Sequence, residues 1–257
     1  LDLLHIAADG ASLGILLDDL NALMNGREPS VKAGSLREAQ AVADPLKTGA
    51  DTEYWAERLR ELAPLELPLD FPARSGSPLG RQEWMVLDAD LTASARRACR
   101  KYSVTLNMFL NGVYALLLHK LCGGTRFCVG MAEGGRHDEA MAGVMGMFVN
   151  TVPQDFTVQP EWTLPDFMAG VRAACVDSME HNREPYGELV RAMGWSPAAT
   201  MLSYEKADDR RPSWPGLEFT DMVPPGHGAM YDFALDIVEM AGVLHCNILS
   251  SEALRPE

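Results

Sequence analysis

The sequence predicts an α/β fold with mixed strands and flanking helices, and three observations carry that prediction. From residue 84 onward, short apolar strands alternate with helical patterns. Two apolar runs, Tyr231–Glu239 and Val243–Leu249, flank Met240-Ala241-Gly242 and read as a hairpin. The stretch 105–121 is apolar almost all round, which calls for burial between layers.

Taken in order, residues 1–6 suit a strand and Ala7–Gly10 a turn. From Ser12, read as an N-cap, Leu13, Leu16, Leu17, Leu20 and Met24 recur at helical spacing, and Gly26 ends that helix. Residues 26–50 read as irregular, with Pro29, Gly34, Pro45 and Gly49 as breakers. The segment 51–62 is an amphipathic helix. The Pro- and Gly-rich passage 64–80 after it marks a boundary between two lobes, residues 1–80 and 81–257. In the second lobe, Trp84–Leu87 is a strand, and Thr92 caps a helix ending near Lys101. Arg126–Met131 and Met147–Val152 are strands. Thr163, followed by Pro165 and Asp166, starts a helix running to about His181, and Ala199–Tyr204 is a strand. The stretch 205–211 reads as a solvated loop.

Composition narrows the function classes. Lys and Arg total 22 against 36 Asp and Glu, a net charge of −14, which repels nucleic acid and anionic lipid. Leu106–Leu121 is interrupted by Asn107, Asn111, His119 and Lys120, so no membrane span is expected. The start carries Asp2, Asp9, Asp18 and Asp19 and no basic leader, and the cytoplasm is the expected location. The five cysteines are odd in number and widely spaced, which suits buried thiols better than disulfides or a metal site. No metal and no nucleotide-binding loop is expected. Leu1 opens inside an apolar run, so the sequence reads as a piece of something longer.

The chemistry-bearing feature is "HIAADG", which puts His5, Asp9 and Gly10 on a turn before a helix. Histidine moves protons near neutral pH, and a glycine N–H at a helix start can face a developing oxyanion.

That segment resembles the HHxxxDG motif of the condensation domains of nonribosomal peptide synthetases. Downstream, Tyr54, Trp55, Leu59, Leu67, Pro68, Asp70 and Pro72 are similar to the family's YW…L…LPxDxPRP linker. Residues 104–136 resemble its buried helix, strand and glycine–arginine turn, ending at Gly135 and Arg136. "VMGMFVNTVP" matches IGxFVNT through Gly146, Phe148, Val149, Asn150 and Thr151, and "HNREPYGELV" resembles HQDxPFExLV through His181, Pro185, Tyr186, Leu189 and Val190. "MLSYE" and "YDFALDIVE" fall where the family has its MFxYxN and DLxLxxxE strands.

The resemblance implies a chloramphenicol-acetyltransferase-like, two-lobed pseudo-dimer with its first lobe incomplete, and a polypeptide inactive by itself. It implies amide formation between two carrier-bound thioesters, with His5 as base or positioner, Gly10 assisting at the oxyanion and Asp9 holding the loop through an ion pair. Ser203 and Tyr204, with Asn150, are candidate substrate-channel residues. The implied partners are upstream and downstream peptidyl carrier proteins and an adjacent adenylation domain. No cofactor is bound directly, and phosphopantetheine arms arrive on the carriers. Leu4 stands where the family has its first histidine. Asp155 stands where it usually has an arginine, so Asp9 needs another partner, with Arg136 the candidate. The family's RDxSRNPL stretch is barely visible in "RAMGWSPAAT", and its aromatic-rich stretch is absent from residues 35–50. The alternatives are an epimerisation domain, disfavoured by "FVNT"; an acyltransferase using a small soluble acceptor; and a non-catalytic platform that recruits carriers or enzymes. Among the other histidines, His119 is a satisfied helix-end side chain and His181 a local loop contact, while His137, His227 and His245 carry no ligand spacing.

Overall fold

In the computed structural model, residues 3–29, 34–44, 47–68, 80–207, 214, 216–218 and 230–251 are described. Asp70, Pro72 and His227, most of the 64–80 passage and residues 208–211 lie outside them.

The elements are α1 (Gly10–Met24), α2 (Leu36–Ala43), α3 (Ala50–Arg58), β1 (Gly80–Leu87), α4 (Ala89–Tyr102), α5 (Leu106–Cys122), β2 (Arg126–Glu133), β3 (Asn150–Thr157), α6 (Leu164–Glu180), α7 (Tyr186–Met193), β4 (Thr200–Lys206), β5 (Phe233–Met240) and β6 (Val243–Ser251). The strands form one mixed sheet in the order β1-β6-β5-β4-β2-β3. The β2–β4 and β4–β5 pairings are parallel, and β1–β6, β5–β6 and β2–β3 are antiparallel.

Strand alternation sorts the two faces. Phe127, Val129, Phe156, Leu202, Ile237, Leu244 and Cys246 point to one side, where they pack against Leu110, Tyr114 and Leu118 of α5 and Phe167, Met168 and Val171 of α6. On the other side, Trp55 and Leu59 bring α3 against Cys128, Ala198 and Leu189 of α7. Trp55 also donates its indole N–H to the His181 carbonyl at 2.8 Å.

Several expectations are corrected. Residues 3–7 form no strand: Ala7 N–H donates to Leu4 O at 2.8 Å, closing a turn just before the helix cap at Asp9. The cap of α1 is Asp9, which accepts from Ser12 N, so Ser12 lies inside the first turn. Thr92 likewise lies inside α4, which Asp88 caps. Residues 26–50 contain α2, whose Ser35–Glu38 capping box was legible as Ser-x-x-Glu. β3 starts at Asn150 rather than Met147, and α7 was not anticipated. Glu205 and Lys206 end β4 rather than opening a loop. Helix α5 is not buried all round, because Val113, Leu117 and Leu121 lie exposed along one side.

All five cysteines are free, four of them buried. Among the described residues, no helix is long and apolar enough to cross a membrane, and no cluster of three or more His, Cys, Asp and Glu side chains could hold a metal.

The β5–β6 hairpin turns on Ala241 (φ 49°) and Gly242 (φ 79°), both left-handed, as a two-residue type I′ connection requires. Alanine is strained there, so Ala241→Asn is expected to raise stability by roughly 0.5–1 kcal/mol. Urea unfolding with an unchanged slope and a higher midpoint is the check; a lower midpoint contradicts the turn assignment.

Candidate active site

The HIAADG loop is fixed at one residue. Asp9 is 4% exposed. Its Oδ1 accepts from the Ser12 N–H at 2.8 Å, the Ser12 hydroxyl at 2.7 Å and Arg136 Nη2 at 2.9 Å. Its Oδ2 accepts from Phe148 N–H at 3.1 Å and from Arg136 Nη2 at 3.2 Å. Arg136 in turn donates through Nη1 to the Met141 carbonyl at 2.5 Å and the Val144 carbonyl at 2.7 Å, and its guanidinium lies 4.3 Å from the Phe148 ring centre. Gly146 N–H donates to Ser12 Oγ at 3.0 Å, and Asp9 N–H to Gly146 O at 3.3 Å. Asp9, Ser12 and Arg136 therefore join the start of α1 to the 135–148 loop.

Burial pushes the Asp9 carboxyl up. The Ser12 hydroxyl and N–H, the Arg136 guanidinium and the Phe148 N–H together outweigh that and hold it below its ordinary value. Gly135 completes the turn at φ 66°, where an added Cβ would lie 1.8 Å from the Phe148 carbonyl oxygen, so no other residue fits.

The anchored loop presents His5 exposed in the turn His5–Ala7, and Leu4 beside it is 75% exposed. Gly10 is the first residue of α1, where the N–H groups of the opening turn carry the positive end of the helix dipole. A Cβ on Gly10 would sit 3.9 Å from Glu205 Oε2, which places the start of α1 beside the end of β4.

The substrate-channel candidates separate. The Asn150 amide braces the 182–186 loop, donating to Glu184 O at 2.7 Å and Asn182 O at 3.4 Å and accepting from Tyr186 N–H at 3.0 Å. It also lines an open cleft of about 260 Å³ with Leu36, Met147, Phe148, Val149 and Arg183. Ser203 and Tyr204 point to opposite faces of the sheet. Ser203 shares the Glu205 face and donates to Asp236 Oδ1 at 2.6 Å. Tyr204 turns to the helix side and donates to Glu239 Oε2 at 2.8 Å, and Glu239 pairs with Arg96 at 2.6 Å. Burial and that carboxylate push the Tyr204 hydroxyl up to about 12.

Asp155 lies away from this hub. It pairs with Arg126 at 2.9 Å and Arg58 at 3.1 Å, and Arg58 reaches Asp177 at 3.3 Å. His119 Nδ1 lies 2.8 Å from Gly124 O, and His181 stacks on Tyr54 with Asp51 at 3.3 Å. Sequence reasoning named Arg136 but missed Ser12 as its companion. The signal was a serine three residues after a capping aspartate.

A two-faced mixed sheet with a histidine–aspartate–glycine loop anchored beside it belongs to the chloramphenicol-acetyltransferase-like fold class. The comparisons narrow this: the condensation-domain family model matches residues 1–254, and the chain belongs to that family. It is 30% identical over 201 residues to tyrocidine synthase 2 of Brevibacillus parabrevis, an alignment covering 75% of this chain and 6% of that protein. It is 26% identical over 247 residues to bacitracin synthase 2 of Bacillus licheniformis, covering 91% of this chain and 10% of that one. Among solved structures, the condensation domain of the monacolin K polyketide synthase superposes with TM-score 0.84 at 18% identity, covering 96% of this chain and 62% of that one. The first condensation domain of the calcium-dependent antibiotic synthetase gives 0.79 at 19%, covering 98% and 60%. The chain thus spans a tenth or less of these curated relatives and about three-fifths of the solved domains.

Two outcomes are expected. Arg136→Ala leaves the buried Asp9 carboxylate without its counter-charge and is expected to cost about 3 kcal/mol or more in denaturant unfolding; a loss below about 1 kcal/mol contradicts the hub. Because the folded-state pKa of Asp9 is lowered, its stabilisation is present above the unfolded value and is lost as pH falls through and below about 4. Stability–pH curves should show that acid limb shrinking in Asp9→Asn, and an unchanged limb refutes the assignment.

Proposed function

We propose that this chain carries the histidine loop of an amide-forming site. There the free amine of a carrier-bound aminoacyl thioester attacks a carrier-bound acyl or peptidyl thioester. The new C–N bond forms, the C–S bond breaks, the upstream arm leaves as a thiol, and the product stays on the downstream arm. The observation that carries this reading is the locked Asp9–Ser12–Arg136 cluster, which holds His5 on an exposed turn at the start of α1.

His5 orients the attacking amine and takes its proton as the bond forms, passing it to the departing sulfur. An α-amine has a pKa of about 8, so little basicity is needed and orientation supplies much of the effect. Gly10 N–H, at the positive end of α1, faces the oxygen that gains charge. Asp9 moves no proton: it is buried, paired and held ionised, and its work is to fix the loop. The substrates arrive on phosphopantetheine arms of upstream and downstream peptidyl carrier proteins, with an adenylation domain loading the acceptor, in the cytoplasm.

A second reading, a platform without catalysis, is favoured by Leu4 at the motif's first-histidine position. A domain of the same fold, the X-domain of teicoplanin biosynthesis, was solved in complex with OxyB. Asp155 no longer supports that reading, since the Asp9 counter-charge comes from Arg136.

The deciding experiment follows mass transfer between loaded donor and acceptor carriers in the full natural polypeptide, by intact-protein mass spectrometry. His5→Ala is expected to lower the rate by about 10²-fold or more while leaving the fold intact. Carrier binding without transfer would establish the platform reading instead, and transfer indifferent to His5→Ala would overturn the role given to His5.

A further inference from the structure

One row of side chains on the sheet is left over by this account. Leu202, Tyr204, Ile237, Leu244 and Cys246 face the helices, so Ser203, Asp236, Asn247 and Trp84 face the other way. They lie side by side across β4, β5, β6 and β1, because Ser203 pairs with Asp236, Asp236 with Asn247, and Asn247 with Trp84. Glu205, two residues beyond Ser203 on the same face, extends the row toward α1, its Oε2 lying 3.9 Å from where a Cβ on Gly10 would sit.

The row is rich in acceptors and lacks a cation. Ser203 spends its proton on Asp236 at 2.6 Å. Asn247 is 6% exposed, and its Oδ1 is buried with no partner. Burial raises the Asp236 carboxyl, and Ser203 alone opposes it. Among the described residues that β1, β4, β5 and β6 place on this face, none is Arg or Lys, and His245 stands two residues along from Asn247. Trp84, 50% exposed, closes the row with an indole, the ring that best accepts a cation on its face.

We propose that Asp236, Asn247 and Trp84 form a specificity subsite for an ammonium-bearing side chain, of the ornithine or lysine type, on the aminoacyl group presented for condensation. This rests on the amide-forming reading above. The occupant is the side chain and not the α-amine, because a carboxylate contact would keep the nucleophile protonated and unreactive. The ammonium supplies the charge that Asp236 lacks and a donor for Asn247 Oδ1, and Trp84 covers its remaining side.

Calorimetry of the full natural polypeptide with two amide-linked aminoacyl pantetheines, ornithinyl and the isosteric norleucyl, tests this. The ornithinyl probe is expected to bind at least about tenfold more tightly, with the ratio falling to about one in Asp236→Asn. Melting of Asp236→Asn at or above the wild-type temperature shows that the fold is kept; should it fail to fold, the half-exposed Trp84→Leu reports the ratio instead. Equal binding of the two probes to the wild type, or a ratio that survives Asp236→Asn, overturns the subsite. Carrier-to-carrier transfer is scored separately. Transfer without the preference sinks this inference alone, and the preference without transfer sinks the catalytic reading alone.

Discussion

The Asp9–Arg136 ion pair is the constraint on which the site depends. A buried carboxylate is tolerable only when its oxygens are filled and its charge is matched. Here Ser12, Phe148 and Arg136 fill both oxygens, and the same arginine spends its other arm on two carbonyls of the 141–144 segment. Two stretches far apart in sequence, the start of α1 and the 135–148 loop, are thereby held in one geometry. The exposed His5 turn inherits its position from that hub and not from packing of its own, since Leu3, Leu4 and Ile6 around it are exposed.

The opposite flank has its own ionic network with a different task. Tyr54 donates to Asp177 at 2.5 Å, Arg58 bridges Asp177 and Asp155, and Arg126 grips Asp155 through two nitrogens. The Tyr54 hydroxyl is pushed up to about 12 by burial and by Asp177. This network fixes α3 and α6 to β2 and β3. The Asp155 charge thus serves the α3 contact, while Asp9 draws its counter-charge from Arg136.

Between these flanks the sheet offers two chemically different surfaces. The helix side is apolar apart from a few enclosed groups, such as Gln154, whose amide reaches only the sulfurs of Met131 and Cys175. The other side carries the Ser203–Asp236–Asn247–Trp84 row next to the α1 N-terminus. A strand places consecutive side chains on opposite faces, so neighbours such as Ser203 and Tyr204 belong to different environments.

The α/β class, the α5 and α6 helices, the hairpin and the His5–Asp9–Gly10 motif were all legible from sequence. Their signals are local: apolar periodicity, the Thr163–Asp166 capping box and a short turn between two apolar runs. Strand β3 was misplaced by three residues at its start and five at its end, and α7 was missed, because short elements take their limits from the partners they meet. The sequence determined which residues carry charge and which periods they follow. Only the tertiary structure decided that Arg136, 127 residues away from Asp9, closes the loop's ion pair, that Asp155 turns to Arg58 and Arg126, and that Asp236 and Asn247 share a face with Trp84. Those pairings depend on strand order and loop path, which no local pattern encodes.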